Sequence, residues 1–248
     1  MTSPDSNICE FLPWDSAFFG LHIARAHDHR LTADLAQEML AWCSREEIDC
    51  VYFLADADDP TTVVLAEEYH FQLVDIRVTL TLDGKQAQPH PGPAPHVRIA
   101  AAEDIKALQA IARESHLDSR FFYDSHFPRE RCAALYALWI EKSCTGYADA
   151  VLVFDDGGGA AGYITCHLDT KTSGRIGLVG VAQDQQGKGA GSALVSTGVD
   201  WLMQAGATTL SVVTQGRNVR AQRLYQRKGF VTESVQLWYH RWLTDVTI

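Results

Sequence analysis

Val179-Gly-Val-Ala-Gln-Asp-Gln-Gln-Gly-Lys-Gly-Ala-Gly-Ser192 is the stretch that decides how this chain is read. It joins a strand-like run, Arg175-Ile-Gly-Leu-Val-Gly-Val181, to a helix-like run from Gly189 to Ala205. In that helix Ala193, Leu194, Trp201, Leu202 and Ala205 share one side, and Gly206 stops it. Gly187, Gly189 and Gly191 alternate at its entrance. Glycine lets the backbone approach a ligand closely and adopts φ values closed to other residues, so successive N–H groups can converge on one anion. The helix dipole adds positive potential there, and a diphosphate is the guest this predicts. The spacing fits neither a P-loop, G-x-x-x-x-G-K-[ST], nor the dinucleotide fingerprint G-x-G-x-x-G in a βαβ unit.

Downstream, Asn218-Val-Arg-Ala221-Gln-Arg-Leu-Tyr225-Gln-Arg-Lys-Gly229-Phe230 opens on a good N-cap and ends on a helix-stopping glycine. Asn218, Ala221 and Tyr225 stand at i, i+3 and i+7, on one helix face. Upstream, helical spacing runs over 103–113 and again from about Pro128 to Ser143. Val151–Phe154, a turn at 155–159 and Ala160–His167 read as a hairpin. Thr208–Thr214 reads as a strand, Val219–Lys228 as a short helix, and Phe230–Leu243 as a final strand region. The order ββ-β-α-β-α-β predicts a mixed α/β (α+β) sheet.

The remaining sequence sets bounds. The chain has 248 residues and a formal net charge of −10. Residues 1–90 carry 16 acidic and 5 basic residues, whereas 91–248 carry 15 and 16. Such a chain repels a polyanion, so nucleic acid is not an expected partner, although the balanced C-terminal part suits a small anionic ligand. Met1-Thr-Ser-Pro-Asp-Ser6 has no basic and apolar leader pattern, and no 18 apolar residues run together. The expectation is a cytoplasmic protein without a membrane partner. Six scattered cysteines without C-x-x-C, and ten histidines without H-E-x-x-H, give no expected metal site. Gln86–His96 holds four prolines and reads as an extended linker between an N-terminal domain, 1–85, and a second domain, 97–248. Asp59–Phe71 spans the same interval as Asn218–Phe230, with Ala66 at the place of Tyr225, which suggests a degenerate internal repeat.

Taken singly, a glycine-rich loop is often just a tight turn, and a helix tyrosine is often a core aromatic. Both motifs in order, each in its strand–helix setting, resemble the GNAT superfamily of acyl-CoA N-acyltransferases over roughly residues 97–242. Gln186-x-x-Gly189-x-Gly191 matches its Q/R-x-x-G-x-G/A signature, and Asn218 to Phe230 matches N-x-x-A-x-x-x-Y-x-x-x-G-F. The resemblance implies the GNAT fold: a mixed, mostly antiparallel twisted sheet with flanking helices, preceded by a degenerate GNAT-like half-domain. It implies acetyl-CoA as cofactor, with the pantetheine arm entering where strands ending at Val181 and near Thr214 splay apart. Val179, Gly180 and Val181 would pair with the arm. Backbone amides of Gln186, Gly187, Lys188, Gly189, Ala190, Gly191 and Ser192 would hold the pyrophosphate, and Asn218 and Ala221 would face the arm. Of Arg217, Arg220, Arg223, Arg227 and Lys228, most are expected in solvent, with one or two reaching the phosphates. Tyr225 would protonate the leaving thiolate; a phenol of ordinary pKa ~10 is almost wholly protonated at neutral pH. Asp124, His126 and His167 are options for the base. A homodimer is expected by the same analogy.

For the acceptor, Trp14-Asp-Ser-Ala-Phe-Phe-Gly20, the Ser119-Arg-Phe…Asp124 segment, Tyr136-x-x-Trp-Ile140 and Arg175–Val181 resemble a particular GNAT group. Its members acetylate the 4-amino group of a TDP-linked 4-amino-4,6-dideoxygalactose in enterobacterial surface-glycan synthesis. A nucleotide-sugar substrate is thereby implied. Arg120 would pair with its diphosphate, Asp124 would bind or deprotonate the amine, and Phe121, Phe122 and Tyr123 would line the pocket. The alternative is an Arg120–Asp124 ion pair over packed aromatics. Two further functions stay open at this point: a GNAT acting on another small amine, antibiotic or protein N-terminus, and a non-catalytic acyl-CoA-binding module.

Overall fold

The computed structural model describes residues 8–85 and 96–243. Residues 86–95 of the expected linker lie outside that range. Two compact units form, one from Met1–Arg77 with Val235–Ile248, the other from Val78–Ser234. These units meet at 77/78 and 234/235, where the expected division lay at the 86–96 linker. Val78, Leu80 and Leu82 are buried in the second unit's core, beside residues such as Ile164, Leu202, Leu210 and Phe230. Residues 236–242 pair instead with residues 56–50 of the first unit. Strand pairing and core burial, rather than proline content, set the boundary.

The first unit runs β1 (Cys9–Phe11), α1 (Pro13–Phe19), β2 (Ile23–Ala26), α2 (Ala33–Arg45), β3 (Cys50–Asp56), α3 (Pro60–Glu68) and the start of β4 (Gln72–Asp83). Strand β3 is buried from Cys50 to Ala55, the pattern of a strand covered on both faces. Helix α2 is capped by the Thr32 side chain and buries Ala36, Met39, Trp42 and Cys43 against it.

The second unit continues with β5 (Val97–Ile99), a 3-10 turn (Ala102–Asp104), α4 (Ile105–Ser115), α5 (Arg120–Tyr123) and α6 (Arg129–Lys142). There follow β6 (Ala150–Asp155), β7 (Ala160–Leu168), β8 (Ser173–Val181), α7 (Ala190–Gln204), β9 (Thr209–Gln215), α8 (Val219–Arg227) and the start of β10 (Val231–Trp242). Strands β5 to β8 are antiparallel neighbours, and β9 joins β8 in parallel. The mixed, mostly antiparallel α/β sheet expected from the sequence is the one observed. Helix α7 lies close on β7: a Cβ on Gly198 would stand 2.7 Å from Ile164 Cδ1. No described helix is long and apolar enough to cross a membrane. Among the described residues no cluster of three or more His, Cys, Asp or Glu is placed to hold a metal ion.

Helices α3 and α8 are built alike. Asp59 caps α3 by accepting from the Thr62 amide, and Asn218 caps α8 by accepting from the Ala221 amide. Each helix ends on a left-handed residue, His70 at φ 61° and Gly229 at φ 90°. The Phe71 and Phe230 amides then donate back to the carbonyls of Ala66 and Tyr225.

One ion pair secures the entrance to α4. Asp104 accepts from Arg98 Nη1 at 2.7 Å and Nη2 at 2.9 Å, and from the Ala101 amide at 2.8 Å. These hydrogen bonds hold its carboxyl below the usual carboxylate range, the Arg98 guanidinium contributing most. A carboxyl with a depressed folded-state pKa stabilises above its unfolded value and loses that stabilisation as pH falls through the folded value. Asp104→Asn is therefore expected to melt at a lower temperature than the wild type at pH 7. The gap should narrow steadily in melts below about pH 4, the ordinary aspartate range.

Candidate active site

The site begins where β8 parts from β9. Their pairing stops at Ile176↔Val212, yet β8 runs on to Val181 and β9 to Gln215. Along β8 the Leu178 amide donates to Thr165 Oγ1 and the Ala182 amide to the Ala161 carbonyl, both on β7. Backbone groups alternate along a strand, so the amides of Val179 and Val181 face the opposite side, into the gap. The Val181 carbonyl, on that same side, accepts from Gln186 Nε2 at 3.0 Å. Gly180 sits opposite Tyr163, whose ring fills the space a side chain would take.

Beyond β8 the chain turns into α7 through Gly187 and Gly189, at φ 80° and 98°. These two positions need glycine. Gly191 differs: its φ is ordinary, and a Cβ there would meet Leu224 at 3.5 Å, a normal contact. Among the described residues no side chain caps α7, and its first internal bond is Ala193 N–H to the Gly189 carbonyl. The amides of Ala190, Gly191 and Ser192 thus form an uncapped positive terminus, as an anion requires.

Helix α8 faces this loop. Asn218 spends its Oδ1 on the Ala221 amide at 3.0 Å. Tyr225, one turn further, is 5% exposed and packs edge-on against Phe230. Its hydroxyl takes no hydrogen bond among the described residues, and burial pushes its pKa up. Arg220 donates to Gln186 Oε1 at 2.6 Å and so links α8 to the loop.

One cavity of about 640 Å³ gathers these groups. Val179, Gly180, Val181, Gln186, Gly187, Gly189, Gly191, Ser192, Asn218, Ala221 and Tyr225 all line it. Lys188, exposed, and Ala190, buried at the start of α7, do not. Arg220 and Arg227 reach its wall from α8.

The acceptor residues expected on 120–124 are not brought to this cavity. The short helix α5 turns them elsewhere. Phe121 is buried against Phe127 and Trp139. Arg120 lies over the Phe121 ring, and Phe122 stacks on Tyr136. Tyr123 carries the Arg217 guanidinium 3.5 Å above its ring, while Arg217 also donates to the Asp118 carbonyl. Asp124 is buried and accepts from the backbone amide and Nδ1 of His126. It is a turn-building carboxylate here.

His167 is likewise closed off. Thr165 Oγ1 accepts from the Leu178 amide and shares a hydrogen bond with His167 Nε2 at 3.2 Å. The Tyr147 backbone carbonyl also engages the ring. Burial lowers its pKa, and Gly177 has no side chain because these two groups occupy the space. The far wall of the cavity is built from Ser115, His116, Asp118, Tyr136 and Trp139, of which no motif marked Ser115 or His116. Tyr136 and Trp139 come from the Tyr136-x-x-Trp-Ile140 stretch quoted above for the acceptor side.

The model of the acetyltransferase (GNAT) family matches residues 106–230, about half the chain, and the chain belongs to that family. It is an N-acetyltransferase that takes acetyl-CoA as acyl donor. Among curated proteins it is 29% identical over 237 residues to dTDP-fucosamine acetyltransferase of Escherichia coli O6:H1, covering 94% of this chain and 97% of that one. It is 30% identical over 139 residues to the spore coat polysaccharide biosynthesis protein SpsD of Bacillus subtilis, covering 56% and 48% of the two chains. A solved GCN5-related N-acetyltransferase from Sphaerobacter thermophilus shares the fold at a TM-score of 0.65 and 17% identity, covering 94% of this chain and 76% of that one.

Proposed function

We propose that this enzyme acetylates the 4-amino group of a TDP-linked amino-dideoxy sugar, a precursor of a surface glycan, by direct transfer. The observation that carries the chemistry is the convergence on one cavity of the Val179 and Val181 amides, the uncapped α7 terminus and the Tyr225 phenol. The sugar is supported by the relative named dTDP-fucosamine acetyltransferase, which is similar along nearly the whole chain.

Acetyl-CoA supplies an activated acyl group and, in its diphosphate, an anion. The α7 terminus and the amides of Gly187 and Gly189 suit that anion, whereas the expected Gln186 and Lys188 amides donate to the Gln183 and Gln185 carbonyls. Val179 and Val181 offer donors along the splayed strand, fixed before any charge develops, which is the condition for electrostatic catalysis. As the amine nitrogen bonds to the carbonyl carbon and the carbon–sulfur bond breaks, Tyr225, whose hydroxyl has no hydrogen bond among the described residues, gives its proton to the departing sulfur; the proton shed by the amine passes to water, from which the phenol is restored. Holding both reactants in one cavity contributes on its own, since effective molarities reach ~10⁵ M or more. In this reading the first unit is a degenerate, non-catalytic copy, supported by the shared capping of α3 and α8 and by Ala66 in place of Tyr225. The reaction is placed in the cytoplasm.

The test is thiol release from acetyl-CoA by the purified protein. The panel holds TDP-linked 4-amino-4,6-dideoxy sugars, short peptides and polyamines. Turnover is expected with a TDP-amino sugar; turnover with peptides alone would overturn the sugar assignment and leave the acetyltransferase standing.

A further inference from the structure

Two imidazoles meet hydroxyls of β7, and only one is left open. His167 is enclosed, as described above. His116, at the end of α4, bonds through Nε2 to the Tyr163 hydroxyl at 2.8 Å. Tyr163 is 0% exposed and His116 is the partner of its hydroxyl. A buried O–H without an acceptor is strongly disfavoured, so Tyr163 donates and Nε2 accepts. The imidazole proton therefore stands on Nδ1. Nδ1 has no partner among the described residues, and His116 forms part of the cavity wall. Burial also pushes the His116 pKa down to about 4, which keeps the ring uncharged.

The ring's orientation is fixed as well. It stacks on Tyr136 at 4.5 Å and 19°, and Tyr136 stands edge-on to Trp139 at 5.2 Å. Aromatic faces beside the His116 N–H donor match the alternating C–H and hydroxyl surface of a pyranose. The geometry points to His116 as a specificity residue for the acceptor: a neutral donor, its proton held on Nδ1 by the Tyr163 phenol, that grips the sugar hydroxyl beside the reacting amine. The identity of that oxygen rests on the amino-sugar reading; the position of the proton does not.

Two measurements test the assignment. In protein with ¹⁵N-labelled histidine, His116 is expected to show a protonated Nδ1 and an unprotonated Nε2, and Tyr163→Phe should move the proton toward Nε2. A wild-type Nε2–H form would overturn the proposal whatever the acceptor is. Kinetics then compare a TDP-linked 4-amino-4,6-dideoxygalactose with its analogue lacking the neighbouring hydroxyl. His116→Ala should raise the acceptor KM about tenfold and leave the acetyl-CoA KM in place, the size expected for one lost hydrogen bond. His116→Asn, whose amide nitrogen falls near Nδ1, should recover most of the loss. The deoxy analogue should not distinguish wild type from His116→Ala. Equal losses on both acceptors would overturn the proposal while leaving the sugar reading intact; a wild type inactive on both would overturn the sugar reading and the hydroxyl contact with it.

Discussion

Tyr225→Phe is expected to lower kcat by about 10²–10⁴-fold, the usual range for a positioned general acid. The KM for acetyl-CoA should stay within about twofold, the pattern of an interaction made in the transition state only. The substitution is clean because the ring's packing on Phe230 survives and the hydroxyl has no hydrogen bond among the described residues to lose. Burial raises the phenol's pKa, so the acid form persists on the alkaline side. The wild-type rate should therefore show no fall attributable to Tyr225 up to about pH 10, its unperturbed value. Thiol-release kinetics across pH read both quantities. Unchanged turnover in the variant would remove Tyr225 from the acid's role.

Gly180→Ala carries the second large effect. The added Cβ would stand 2.6 Å from Tyr163 Cε1, 2.7 Å from Cζ and 2.8 Å from Oη. Tyr163 is wholly buried and bonded to His116, so its ring has nowhere to swing. Overpacking of this kind costs about 1–3 kcal/mol. A chain of this size loses roughly 2–4 °C in Tm per kcal/mol. Because Gly180 lies between the two cleft-facing amides, acetyl-CoA affinity should fall as well, measurable by titration calorimetry. Pairing it with Tyr163→Leu should give less than the sum of the two losses, since the clash is shared. Additive losses would show that Tyr163 is not what excludes a side chain at Gly180.

The cofactor side of the site was legible because its chemistry is local. Gly187 and Gly189 need positive φ, Asn218 caps the next helix, and Tyr225 follows at fixed spacing; each requirement constrains residue type within a few positions. The acceptor side follows no such rule. His116 and Tyr163 meet across 47 positions of sequence, and only the packing of α4 on β7 brings them together. The polar pair Arg120 and Asp124 drew notice by charge, yet α5 directs Phe121 into the core and gives Asp124 to His126. The boundary of the compact units is hard to read for a similar reason. Proline marks where a chain cannot form regular structure, whereas β4 and β10 change units in mid-strand, with nothing in their composition to mark the place.

The strand β10 that completes the first unit is also the last described strand, and it is made after the second unit, which sets an order of assembly. Ribosomes release the segment that pairs with β3 only after all of the acetyl-CoA cleft has been made. During synthesis the exposed flank of β3 must wait, unsatisfied, for about the time needed to translate 180 residues, some 10–40 s at typical translation rates. Lengthening that delay with slow codons after position 77 should lower the soluble yield without altering any contact in the finished enzyme.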